Sequence, residues 1–202
     1  MKKIFTIMFS LALFAVSAGA QVIDESFVFT DENGEVIENG TTVIRNVVEV
    51  SSEGNEIINA GIFVKNMVGS TDYLKMHYSI ERIDNGLYQI CFPTNCNSQS
   101  AVGNYTTDYG QPMGVSQDIM SEWLPDADGE CIVNLNIEVF TRQAGFPPNY
   151  THKAWGPSIT LRFIKGGEPT PEPLKGDVNG DGEVNISDVN AVIAIILNPD
   201  ND

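Results

Sequence analysis

Between Gly176 and Leu197 the chain reads GDVNGDGEVNISDVNAVIAIIL. Counted from Asp177, oxygen-bearing side chains fall at positions 1, 3, 5, 9 and 12 of a twelve-residue loop: Asp177, Asn179, Asp181, Asn185 and Asp188. Gly182 stands at position 6, where such a loop turns sharply, and the carbonyl of Glu183 at position 7. Calcium takes six to eight hard oxygen ligands at about 2.3–2.6 Å, and this spacing supplies them. Asn185 acts directly or through water, and Asp188 closes the site with its carboxylate. The expected cofactor is therefore Ca2+.

A helix is expected to leave the loop after Asp188. Val189, Val192, Ile193 and Ile196 fall at i, i+3, i+4 and i+7 and form one apolar stripe. No entering helix is expected, because PTPEPLKG precedes the loop. A loop with only an exiting helix, Asp at position 12 and Val184 at position 8 resembles the calcium repeat of type I dockerins. In that family two repeats pair, bind two calcium ions and dock onto a cohesin domain; one such repeat is present here. The resemblance implies ligand roles for Asp177, Asn179, Asp181, Asn185 and Asp188. It implies contact with a cohesin-like partner through Ile186 and Ser187. About eleven helical residues are marginal alone. The stripe of Val192, Ile193 and Ile196 therefore needs a cover: a cohesin-like receptor, a second copy of the chain, or the chain's own body.

Four segments are expected: 1–20 a signal peptide, 21–165 a β-sandwich domain, 166–175 a linker and 176–202 the dockerin-like half-repeat. Lys2 and Lys3, an apolar run from Ile4 to Val16, and Ala18-Gly19-Ala20 read as an export signal cut after Ala20. The expected location is secreted: extracellular, cell-surface or periplasmic. The apolar run is short for a membrane span, and none is expected elsewhere. Loss of Lys2 and Lys3 leaves nine basic residues against 27 acidic ones, a formal charge of −18. Such a surface repels nucleic acid and anionic membranes. Gly166-Gly167-Glu168-Pro169-Thr170-Pro171-Glu172-Pro173 alternates proline with acid and reads as a semi-rigid spacer.

Between Phe27 and Ile164 short strands alternate with turn signals, and no convincing helix appears. The expected fold is mainly β, an antiparallel β-sandwich of immunoglobulin-like type with a short C-terminal calcium loop–helix. Phe27–Thr30 runs into the Asp31–Gly34 turn, with Glu35–Ile37 as a returning partner. Thr42–Val50 reads as one strand with Ile44, Val48 and Val50 on one face. Ile57–Val64 is apolar, with Gly61 as a bulge or close approach. Leu74, Met76, Tyr78 and Ile80 point one way, and Leu87–Phe92 is expected to return beside them as a hairpin. Residues 94–114 read as a long loop, and Ser116–Leu124 as a strand or short helix carrying Trp123. Val133, Leu135, Ile137 and Val139 face inward, and Ile159, Leu161 and Phe163 make the last strand. The stretch from YQICFPTNC through PDADGECIVNLNIEV resembles small immunoglobulin-like or fibronectin-like domains in secreted proteins of the Bacteroidetes. That resemblance implies a fold and a binding role.

Cys91, Cys96 and Cys131 are an odd set for an exported chain. Cys91 and Cys96 flank FPTN and are the preferred pair; Cys96 with Cys131 is the alternative, since spacing does not settle connectivity. His77 and His152 have no ligand-like spacing to these cysteines, which disfavours zinc.

No nucleophile elbow, zinc-protease motif or phosphate-binding glycine loop is present. Glu81, Glu122 and Glu138 are candidate carboxylates for a glycosidase, and each equally fits a solvent-facing acid. The expectation is a binding protein rather than an enzyme. Tyr105, Tyr109, Tyr150 and Trp155 fall in expected loops and are candidates for an aromatic platform that stacks on polysaccharide. For Trp155 and Trp123 the competing role is sandwich core.

Overall fold

The computed structural model describes residues 23–167 and, beyond them, Val178, Val184 and the helix Ile186–Leu197. The strands in chain order are β1 (Phe27–Asp31), β2 (Thr42–Arg45), β3 (Glu49–Val50), β4 (Glu56–Asn59), β5 (Ile62–Asn66), β6 (Tyr73–Ile83) and β7 (Leu87–Cys91). They continue with β8 (Cys96–Gln99), β9 (Gly103–Thr106), β10 (Ser116–Asp118), β11 (Ser121–Leu124), β12 (Gly129–Gln143) and β13 (Asn149–Lys165). The helix α1 spans Ile186–Leu197.

One layer is the sheet β2-β13-β12-β6-β9. Its strands pair antiparallel except β2, which lies parallel to β13. The opposite layer contains β1-β5-β10 and β3-β4-β11-β7-β8. These two sheets are continuous through a kink. Backbone bonds Ala60 N–H to Ser121 O (2.8 Å) and Ile119 N–H to Ile62 O (3.1 Å) carry the ladder from β4–β11 to β5–β10. Gly61, expected at a bulge, lies at this kink between β4 and β5.

The core follows from period-2 alternation. Leu74, Met76, Tyr78 and Ile80 from β6 and Val133, Leu135, Ile137 and Val139 from β12 all face inward. They meet Ile58, Tyr88, Ile90 and Trp123 from the other layer. This is the antiparallel β-sandwich that the alternation leads one to expect, with one short C-terminal helix. Trp123 is fully buried and belongs to the core.

Several local expectations are corrected. Leu87–Phe92 does not return beside β6: β7 pairs with β11 and β8 in the opposite layer. Tyr78 and Tyr88 consequently pack across the core, with ring centroids 5.8 Å apart. Thr42–Val50 is two short strands, and Val43 rather than Ile44 is buried, because β2 docks on β13 in the register Val43–Leu161. Residues 94–114 are not a structureless loop; they contain the edge strands β8 and β9. Ser116–Leu124 is two strands rather than a helix. Glu35–Ile37 meets β1 only through the bridge Thr30–Val36, and the main partner of β1 is β5. Cys91 and Cys96 are joined by a disulfide. Cys131 is a buried free thiol, its pKa pushed up to about 12 by burial and by the nearby Asp84 and Glu130 carboxylates.

The crossing from β6 to β7 is built on Asn85 and Gly86. Trp123 Nε1–H donates to the Asn85 carbonyl (2.9 Å), and the Asn85 side-chain oxygen accepts from the N–H groups of Asp126 (2.9 Å) and Ala127 (3.1 Å). Gly86 has φ +71°, and a Cβ there would lie 2.0 Å from the Leu124 carbonyl oxygen. Arg82, bonded to Asp84 just before the turn, holds that carboxyl below its ordinary pKa.

Gly86→Ala is expected to cost roughly 3 kcal/mol or more in urea unfolding, from the left-handed backbone and the clash together. Gly34→Ala, with φ +81° but nothing within 4 Å, is expected to cost only about 1 kcal/mol. Cys131 is expected to resist iodoacetamide at pH 8 in the native protein and to take up one equivalent in urea.

Candidate functional site

The outward half of the β6 and β12 alternation converges on the outer face of β2-β13-β12-β6-β9. Strand β12 presents Asn134, Asn136 and Glu138 between its buried Val133, Leu135, Ile137 and Val139. In register, Asn136 lies between His77 of β6 and Ser158 of β13, and Glu138 between Lys75 and Trp155.

Strand β13 reaches this face through two register shifts against β12, between Asn136 and Glu138 and between Val139 and Phe140. Without them Ser158 and Trp155, three residues apart, would point to opposite faces. The first shift falls at Gly156-Pro157, and bulges re-aim side chains in this way. Gly156 packs closely there: a Cβ would lie 3.1 Å from Ile137 Cβ, tighter than ordinary packing. The second shift brings His152 to the same face as Trp155.

Glu138 therefore sits between two imidazoles. His77 Nε2 is 2.5 Å from one carboxylate oxygen and His152 Nδ1 is 2.7 Å from the other. Only 12% of the Glu138 side chain is exposed. Trp155 packs against both rings, with centroids 5.0 Å from His77 and 5.6 Å from His152. Beyond them Tyr109 and Tyr150 stack at 4.4 Å with an interplanar angle of 8°, and Tyr73 tilts against Tyr150 at 5.0 Å. Lys75 Nζ lies 4.0 Å over the Tyr109 ring.

Two shallow grooves flank this ridge. One, of about 420 Å³, is lined by Ile23, Asn39, Asn136, Trp155, Gly156 and Ser158. The other, of about 210 Å³, runs between β12, β6 and β9, and includes His77, Ser79, Asn104, Thr106, Asn134 and again Asn136.

The four aromatic residues expected to form one loop platform are divided by the structure. Tyr105 lies in β9 and stacks on Tyr78 (5.4 Å, 26°). Tyr150 and Trp155 lie in β13 rather than in a loop. Tyr109 and Tyr150 use ring faces on each other, Trp155 lines the larger groove and Tyr105 the smaller one. The row Asn134–Asn136 and the contribution of Asn39 were not foreseen. The signal for the row was present in the polar half of the β12 alternation.

The three candidate glycosidase carboxylates do not assemble as a pair. Glu122 is in β11 of the opposite layer, where Gln89 donates to it (3.2 Å) and burial raises its pKa, aided by Asp118 and Glu49. Glu81 accepts from Asn134 Nδ2, and Glu138 has each oxygen engaged by a histidine.

Of the expected calcium ligands, Asp177, Asn179, Asp181, Glu183 and Asn185 lie outside the described residues, as does the side chain of the expected contact residue Ser187. Asp188 is described, and 4% of it is exposed. Its carboxylate accepts the Val178 N–H at 2.7 Å, joining loop positions 2 and 12. The helix begins at Ile186, three residues before the expected start at Val189. The Asp188 carboxylate thus falls in the first helical turn, where the helix dipole favours negative charge. Ile186, Val189, Val192, Ile193 and Ile196 are exposed. Among the described residues no cluster of three or more His, Cys, Asp or Glu side chains is arranged to hold a metal. No described helix is long and apolar enough to cross a membrane.

No protein-family model matches the sequence, and no curated protein does. Among solved structures, the N-terminal domain of PorA is similar with a TM-score of 0.44 at 15% identity, over 70% of this chain and 98% of that one. The ASH/PapD-like domain 7 of human CEP192 gives a TM-score of 0.31 at 9% identity, over 83% of this chain and 99% of that one.

Removal of Glu138 leaves two imidazoles on one face without their common acceptor. Glu138→Ala is expected to lower stability by about 1–3 kcal/mol in urea unfolding. Glu81→Ala, removing an exposed carboxylate, is expected to change it by about 0.5 kcal/mol or less. Equal effects would show that the two-histidine arrangement contributes nothing special.

Proposed function

We propose that this is an exported calcium-binding protein whose C-terminal loop–helix attaches it to a partner in a calcium-dependent way, with the sandwich as the body so attached. The observation that carries the reading is the closure at Asp188. A buried carboxylate at loop position 12 takes the backbone N–H of position 2, and the helix Ile186–Leu197 that carries it leaves an apolar stripe exposed. The donor set by sequence is all oxygen: Asp177, Asn179, Asp181, the Glu183 carbonyl, Asn185 and Asp188. Hard cations of the size of calcium prefer such donors. Its acidic side chains repel one another, and a divalent ion would cancel that repulsion and order the loop.

The exposed stripe supports a cover from outside the chain. A cohesin-like receptor is the first candidate and a second copy is the other. The export signal and acidic composition fit a calcium-rich location outside the cytoplasm. The chain is read as a binding protein and not as an enzyme.

Titration of the protein from Gln21 onward with calcium, followed by calorimetry, is expected to give one site, abolished or much weakened by Asp181→Ala. No heat at millimolar calcium would overturn the reading. Sedimentation with calcium and with chelator then separates the two covers: calcium-dependent dimers identify a second copy, and a persistent monomer leaves the receptor.

A further inference from the structure

The outer face of the β2-β13-β12-β6-β9 sheet shares no residue with the tail. We infer that this face binds an uncharged oligosaccharide across the strands, seated in the two grooves that meet at Asn136. Three observations lead there.

The first is charge. The chain holds 27 acidic residues against 11 basic ones, yet neither groove has a carboxylate, lysine or arginine among its lining residues. Of the acids on this face, Glu138 is covered by His77 and His152, and Glu81 is engaged by Asn134, which lines the smaller groove. Groove linings without Asp, Glu, Lys or Arg offer no ion-pair partner to a charged ligand, and the net negative charge of the chain repels anions. A ligand of the grooves must be recognised by hydrogen bonds and stacking.

The second is the kind of polar group. Asn134, Asn136, Ser158 and Ser79 are amides and hydroxyls, which donate and accept at once. Vicinal hydroxyl groups of a sugar do the same. Asn134 is fixed in orientation, its oxygen accepting from Thr160 Oγ1 (2.6 Å) and its nitrogen donating to Glu81. The Asn136 side-chain oxygen is buried and has no hydrogen-bond partner among the described residues. Such a group is costly unless a ligand or water meets it, and it stands where the grooves join.

The third is Trp155. The Gly156-Pro157 bulge turns this half-buried indole out of the core register and into the wall of the larger groove. Its position between His77 and His152 holds it by edge and tilted contacts. An aromatic ring held this way suits the apolar face of a pyranose. From β13 to β9 the site spans three inter-strand gaps, roughly 14 Å, which calls for several sugar units rather than one.

The test is native affinity electrophoresis of the protein in gels containing soluble β-glucan, xyloglucan, galactomannan or polygalacturonate, each run with calcium and with chelator. Retardation by at least one of the three neutral polymers is expected, unchanged by chelator. Asn136→Ala and Trp155→Ala are each expected to weaken it about tenfold or more. Thermal unfolding checks folding. Asn136→Ala removes a half-buried amide whose oxygen has no partner among the described residues, and is expected to melt close to the parent, so the site stays testable should Trp155→Ala unfold. No retardation by any neutral polymer, retardation by polygalacturonate alone, or neutral binding that survives Asn136→Ala would each overturn the inference. Loss of retardation with chelator would place the binding on the calcium tail and would also overturn it. Failure of the calcium titration leaves this result untouched, since the two sites share no residue.

Discussion

Between Asp84 and Leu87 the chain must leave one layer of the sandwich and enter the other, and the rest of the arrangement hangs on how that corner is held. A hairpin turn would have placed β7 beside β6 and spent both strands on one surface. Instead Asn85 gives its carbonyl to the Trp123 indole and its side chain to the turn before β12, so one residue ties this corner to the stretch Trp123–Ala127 some forty residues away. The indole N–H, in the largest fully buried side chain of the core, would otherwise lack a partner, at a cost of about 1–3 kcal/mol. With β7 in the opposite layer, Tyr88 and Ile90 face Tyr78 and Ile80 across the core rather than lying beside them. The outer face of β6 is then free to carry His77 and Ser79 next to β12 and β9.

What could be read in advance depended on whether the determining interaction was local. The alternation in β6 and β12 is a property of each segment alone, and those strands and their inward residues were legible. The turn signals at Asp31–Gly34 and Asp84–Gly86 were legible as turns. The partner chosen after Gly86 was not, because a carbonyl 2.0 Å from a hypothetical Cβ belongs to Leu124, far along the chain. Strands β8 and β9 were missed for a different reason. CNSQ and GNYT have no apolar alternation, since as edge strands they are held by backbone pairing to β7 and β6 rather than by burial. The face of β2 was misassigned because four residues carry too little periodicity to choose between Val43 and Ile44 before docking on β13.

The same distinction separates the two candidate sites. The calcium loop proposed for the tail would lie in twelve consecutive residues, so its candidate ligands are visible as spacing. The sheet face is assembled from Asn39, His77, Asn136 and Trp155, and no spacing connects them. Even the strand that carries Trp155 hides it. Residues 152, 155 and 158 share a face only because two irregularities each change the parity of β13 against β12. Gly156-Pro157 was the trace of the first: a glycine packed closely on Ile137, followed by a residue without an N–H for the ladder.

The two sites differ in the force that would operate them, and this bears on how one chain uses both. The tail concentrates carboxylates, so its occupancy would follow divalent-ion activity and ionic strength. The sheet face has no fixed charge in its grooves, and contacts of amide, hydroxyl and indole are almost indifferent to salt. A change in calcium would therefore switch attachment through the tail while leaving a glycan seated on the sandwich. The net negative charge of the chain adds a constraint: it repels polyanions, so an uncharged polymer approaches the sheet face without opposing that charge.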